Sequence, residues 1–263
     1  MNRRDVIRCM GSLALLGVSP TFAQVVDLND AINKAGRQRM LSQRAAKAYL
    51  AAGQGVLADR TREVLAVSIA LFDRQLAELK AFAPTPEIRD TYAGLDAAWG
   101  EYKAMLVGRV PSRDGAPALI ALDGKVLALA HKGTVQLEQV SGKPVGKLVN
   151  VAGRQRMLSQ RVAKFYLARA WRADVPNAEA EIDKARAEFV QALDLLANAP
   201  EATGPIRREI ELARNQWVFY EAAIAQRGVD SAVPERSSNV FLSSENILTV
   251  MDKVTGLYAR MVV

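Results

Sequence analysis

Residues 35–50 read AGRQRMLSQRAAKAYL, and residues 152–167 read AGRQRMLSQRVAKFYL. The ten residues Ala35–Arg44 recur unchanged as Ala152–Arg161, an offset of 117. Each copy carries the cations Arg37, Arg39, Arg44 and Lys47, or Arg154, Arg156, Arg161 and Lys164, with Gln43 or Gln160 among them. On a helix, Arg39, Gln43, Lys47 and Leu50 share one face, within about 80° at 100° per residue. Arg37 and Arg44 point elsewhere, while Leu41, Ala45 and Ala48 make an apolar strip that can face a core. No acidic residue lies between Ala31 and Ala58 or between Leu148 and Ala173, so neither helix supplies its own i, i+4 partner. Unpaired cations facing a core are costly. Their partners must come from other helices, from water or from a bound anion. Asp73, Glu78, Asp194 and Glu188 are the acids within reach in sequence terms.

Other chemistries have little to work with. One histidine, His131, leaves little room for a His-based metal site or a His-activated nucleophile. One cysteine, Cys9, excludes an intramolecular disulfide and a CxxC pair. No nucleophile with a base and no paired acid and base is evident, so no enzyme, metal or cofactor is expected. The net charge of +7 over 263 residues favours anionic partners only mildly and gives no nucleic-acid signature.

The repeat continues beyond the motif. Phe72 and Leu76 match Phe189 and Leu193 at offset 117; Trp99 and Tyr102 match Trp217 and Tyr220 at 118; Leu127, Lys132 and Thr134 match Leu248, Lys253 and Thr255 at 121. Ala, Leu, Glu, Gln, Arg and Lys dominate, apolar residues recur at helical spacing, and strand-like alternation is absent. Gly53 and Gly55, Pro84 and Pro86, Pro111–Pro117, and Gly142 with Pro144 punctuate the first copy; Pro176, Pro200–Pro205 and Gly228–Pro234 punctuate the second. The spacing predicts an all-α chain of two tandem up-down-up-down four-helix bundles, repeat 1 over 24–142 and repeat 2 over 143–263. Asp174 or Asn177 is the expected cap of the second helix of repeat 2, and Ser237 or Ser238 that of its last helix. The Trp–Tyr pairs are expected to pack in the core.

Residues 1–23 have the plan of a signal peptide: arginines, a short apolar run, Pro20 and a small-residue exit at Ala23. Arg3-Arg4-Asp5-Val6-Ile7-Arg8 has the order of a twin-arginine signal, an ordinary secretory signal being the alternative. Cleavage after Ala23 would remove Cys9 and lower the charge from +7 to +5, since three arginines and one aspartate leave. No later stretch is apolar enough to span a bilayer, so a periplasmic protein without a membrane span is expected.

AGRQRMLSQR resembles the signature of the PilJ-type sensor module of type IV pilus chemotaxis transducers, which is related to the nitrate- and nitrite-sensing domain of NarX-like histidine kinases. The resemblance spans both copies, with only the first-helix motif highly specific. It implies a periplasmic four-helix bundle. It also implies a nitrate-binding role for the arginine of R-M-x-S-x-R where two first helices meet, which falls on Arg39 and Arg156. Gly36 and Gly153 match the family glycine that permits close approach. The kinase domain differs where this chain has Arg37-Gln38 and Arg154-Gln155, and the receptors compared are membrane-anchored. The expected function is sensing of a small planar anion, which the rigid guanidinium fork suits, with occupancy passed to a protein partner. The alternative is a ligand-free helical adaptor docking to a receptor, transporter or pilus-related complex. If the linker Ser141–Pro144 turns, the two first helices run parallel and the arginines share one site; if it is straight, the copies stack end to end and the arginines cannot meet.

Overall fold

The computed structural model describes residues 24–225 and 233–261. The signal-peptide reading of residues 1–23 falls outside the described residues. Eight helices occur among the described residues: α1 (Leu28–Gly53), α2 (Ala58–Phe82), α3 (Pro86–Gly108), α4 (Ala116–Ser141), α5 (Pro144–Ala170), α6 (Ala178–Asn198), α7 (Gly204–Ala225) and α8 (Val233–Ala259). None has a stretch long and apolar enough to cross a membrane. The chain is all-α, as the helical spacing and the absence of alternation require.

Local chemistry sets the ends. Asp27 caps α1 by accepting from the Asp30 N–H at 2.8 Å, and Thr85 accepts from Ile88 N–H ahead of Pro86 at the start of α3. A capping oxygen satisfies one of the N–H groups a helix start leaves without an intrahelical partner. Gly142, at φ +60°, ends α4 in the left-handed conformation that a residue with a Cβ adopts only at a cost. Pro144 then opens α5. The chain therefore reverses within Gly142 and Lys143.

That reversal decides the architecture. α5 lies beside α1 and parallel to it. Near their starts Ile32 lies against Gly146, and at their far ends Gln54 Nε2 donates to the Leu167 carbonyl at 3.1 Å. A side chain at Gly53 would collide with the Trp171 ring, so glycine is needed for this approach. α1 packs on α2, α4 and α5, and α5 on α1, α6 and α8. The two four-helix units therefore merge along α1 and α5 instead of standing apart, and both first helices are buried over most of their circumference. The end-to-end alternative is excluded.

The aromatic pairs are core. Trp99 stacks on Phe72 with ring centroids 3.7 Å apart, and Trp217 on Phe189 at 4.0 Å. Tyr102 and Tyr220 donate to the Ser42 and Ser159 carbonyls inside the two motif helices, at 3.0 and 2.7 Å. Two expected caps need correction. Asn177 precedes α6, but its side chain makes no cap hydrogen bond. α8 begins at Val233, which puts Ser237 and Ser238 inside the helix, where Ser238 Oγ donates to the Pro234 carbonyl instead of capping.

Candidate functional site: two buried arginines over paired glycines

Arg39 on α1 and Arg156 on α5 are completely buried. Both lie where the two motif helices cross, because Gly36 and Gly153 face each other there and let the backbones close. A Cβ built on Gly36 would lie 3.2 Å from Arg39 Nη2, 3.5 Å from Arg156 Nη2 and 3.8 Å from Gly153 Cα. The same construction on Gly153 meets the two Nη2 atoms at 3.1 and 3.7 Å. The guanidiniums thus share one small space above the glycine pair. Each reaches across to the opposite helix: Arg39 Nη2 donates to the Asn150 carbonyl at 3.2 Å, and Arg156 Nη2 to the Asn33 carbonyl at 3.1 Å. Asn33 and Asn150 are repeat equivalents, so the exchange is reciprocal. Among the described residues, the Nε of each arginine has no partner.

The symmetry breaks at the other terminal nitrogen. Arg156 Nη1 meets Asp252 Oδ1 of α8 at 2.6 Å, and Arg37 Nη2 meets the same oxygen at 2.7 Å. Arg39 Nη1 meets His131 Nδ1 of α4 at 3.3 Å instead. At the offset of 121 that relates α4 to α8, His131 stands where α8 has Asp252. A guanidinium only donates, so Nδ1 accepts and the ring is neutral with its proton on Nε2. Burial and then the Arg39 and Arg154 charges lower the His131 pKa, which agrees. Among the described residues, Arg39 is therefore a buried cation with no carboxylate in contact. Burial, then Arg154 and Arg156, pull its pKa down to about 9; burial and Arg37, opposed by Asp252, leave that of Arg156 at about 10. Desolvation disfavours the charged form, and at both arginines it outweighs the compensating interactions.

One turn further along, the motif is fastened internally. Gln43 Nε2 donates to both oxygens of the buried Asp123 at 2.7 and 2.8 Å, and Lys164 Nζ meets Asp123 Oδ2 at 2.6 Å. Lys47 Nζ meets Glu245 Oε1 at 2.7 Å and Ser244 Oγ at 2.8 Å, while Gln160 donates to the Ser244 carbonyl. Burial lowers the Lys47 pKa to about 8 against the opposing pull of Glu245. Arg44 forks onto Glu245. Arg154 forks onto Glu188 and Arg161 onto Glu181, both on α6. The structure thus brings Arg39, Arg156, Gly36 and Gly153 together. Gln43, Gln160, Lys47 and Lys164 lie in a second buried layer, and Arg37, Arg44, Arg154 and Arg161 on its flanks.

Of the acids named from sequence, only Glu188 serves a motif cation. Asp73 takes Trp99 Nε1 and Lys103, Glu78 takes Lys34, and Asp194 takes Arg214. Asp123, Glu181, Glu245 and Asp252 do most of the pairing, and His131 sits beside the pair. Aligning α4 on α8 at offset 121 would have put His131 opposite Asp252 and Asp123 opposite Ser244, a sequence signal that the two halves are charged differently.

The family described as type IV pili methyl-accepting chemotaxis transducer N-term, PilJ, matches residues 21–122 and again 141–255. No curated protein and no solved structure matches the chain. The two matched regions cover most of the sequence, each holds one AGRQRMLSQR helix, and the chain belongs to the PilJ family of chemotaxis-transducer sensor modules.

Proposed function

We propose that the chain is a non-catalytic periplasmic sensor that binds a small planar monoanion, nitrate or nitrite in kind, between Arg39 and Arg156, and passes its occupancy to a protein partner. One observation carries the reading: Arg39 is a completely buried guanidinium with no carboxylate contact, and it shares the space above Gly36 and Gly153 with Arg156. Both Nη2 atoms lie within 3.5 Å of one Cβ position on Gly36, and like charges a few ångströms apart at an effective dielectric near 20 repel by on the order of 3 kcal/mol. A bound monoanion offsets that repulsion and presents oxygens to the unpartnered Nε atoms. Parallel first helices within one chain supply the paired-arginine geometry that the family resemblance implies.

Calorimetric titration with nitrate and nitrite, against chloride, tests this. Saturation at about 100 times Kd stabilises by about 2.7 kcal/mol, or roughly 5–11 °C in Tm for a domain of this size. Arg39→Ala and Arg156→Ala should each abolish the response, because the site is shared. No heat and no thermal shift at millimolar ligand would refute the reading. A second reading, a ligand-free docking module, is favoured by the adjacent exposed side chains Val218 and Phe219 on α7, 65% and 67% accessible. The same titration separates the two.

A further inference from the structure

A cleft of about 320 Å³ opens between α4, α5 and α6. Its floor is apolar, with Leu127, Met157 and Leu158, and its rim carries His131, Arg154, Arg161 and Lys184 beside Glu181 and Glu188. The size falls within the range of small-molecule sites. The internal repeat explains why it exists. The equivalent wall in the other half, α8 against α1, carries Glu245 and Asp252, whose carboxylates hold Arg44 with Lys47 and Arg37 with Arg156. On α4 the two positions are Gly124 and His131. A Cβ added at Gly124 would meet nothing within 4 Å. The acids moved to the opposite wall: Glu181 and Glu188 on α6 stand where α2 has Val64 and Leu71. Arg154 and Arg161 are thus held by carboxylates from the α6 side, and α4 lines the cleft with Gly124, Leu127, Ala128 and His131 and no carboxylate, its Asp123 being turned inward to Lys164 and Gln43.

We propose that this cleft is a binding site for a small organic carboxylate, distinct from the anion site above Gly36 and Gly153. The ligand carboxylate takes the place that Asp252 occupies in the other half. It accepts from His131, whose Nδ1 is committed to Arg39 and whose Nε2–H is the remaining ring donor. It also accepts from Arg154, which Glu188 holds from α6; a guanidinium has five N–H donors and serves two carboxylates, whereas in the other half one carboxylate, Asp252, serves two guanidiniums. The short apolar body of the ligand lies over Leu127 and Met157 toward the space left by Gly124. The shape selects an anion with a hydrocarbon tail over a bare oxyanion, since the floor offers no polar partner to a second set of oxygens.

The test is methyl NMR on the protein labelled with ¹³C at the methionine methyls, with Met157→Leu assigning the cleft signal, titrated separately with butyrate and nitrate. Butyrate should move the Met157 signal and leave those of the buried Met40 and Met251 in place. Gly124→Glu restores the side chain that the other half carries as Glu245; it should weaken the butyrate response about tenfold or more, as a like charge in the site does, and leave the stabilisation by nitrate unchanged. His131→Asp is the second variant and should act in the same direction while raising Tm. Three results would overturn the proposal: an unmoved Met157 signal at tens of millimolar butyrate, an unaltered butyrate response in both variants, or nitrate moving Met157 as strongly as butyrate. The nitrate reading fails or stands on its own stability readout, so the two failures are distinguishable.

Discussion

Asp123 is a side chain whose loss the fold should feel through charge more than through packing. It is fully buried on α4 and holds two charged or polar groups of the motif helices, Lys164 through Oδ2 and Gln43 through both oxygens. Lys164 is itself 2% accessible, so water cannot replace the carboxylate. Asp123→Asn keeps an amide oxygen for Gln43 but removes the negative charge and leaves an ammonium uncompensated in the core. Breaking a buried pair from one side costs about 3–5 kcal/mol, which for a chain of this size is a Tm loss of roughly 6–20 °C. Removing both charges in Asp123→Leu with Lys164→Met is different. A buried ion pair replaced by apolar groups of similar volume is often neutral or stabilising, and the residual cost is Gln43, which keeps only Ser42 Oγ as a partner at 3.1 Å. An unmet buried donor costs about 1–3 kcal/mol. The double variant should therefore recover about half of the loss caused by Asp123→Asn. Urea unfolding at pH 7, with unchanged m-values as evidence of an intact fold, reads both numbers. A double variant as unstable as the sum of its single changes would refute the reasoning, because it would mean that Asp123 acts through packing and not through charge.

Three other outcomes follow from named contacts. Gly36→Ala should change stability little, since the gain in helix propensity of about 1 kcal/mol offsets a contact of 3.2 Å with Arg39 Nη2; it should nonetheless blunt the nitrate response, and Gly36→Val should also lower Tm. Burial works against the Glu245 carboxylate, but Lys47 and Arg44 outweigh it and hold its pKa at about 2, below the ordinary 4.5. A depressed carboxylate contributes stability above its unfolded pKa and loses it as the pH falls through its folded one. Unfolding free energy should therefore decline between pH 4.5 and 2, and Glu245→Gln should flatten that decline. Trp217→Ala removes a ring stacked on Phe189 and edge-on to Tyr220, and chemical denaturation should show a loss of about 3–5 kcal/mol.

The sequence by itself determined whatever depends on near neighbours along the chain. Helical spacing, breakers at the turns and the Gly142–Pro144 punctuation specify the helices, because propensity, capping and left-handed glycine act within a few residues. The exact repeat shows that one unit is used twice, and helical geometry puts Arg39, Gln43 and Lys47 on one face. The acid-free stretches even show that the motif cations must find partners elsewhere. What they find was decided only by tertiary packing. Lys47 pairs with a residue 198 positions away and Arg37 with one 215 away, both across the repeat boundary. Such choices follow from the reversal at Gly142, which lays α5 along α1 and brings α8 to the first motif and α4 to the second. Composition cannot reveal which cation is left uncompensated, since a formal charge count treats Arg39 and Arg156 alike. The difference lies in whether the fourth helix delivers Asp252 or His131 to that spot once both guanidiniums have been sealed from water.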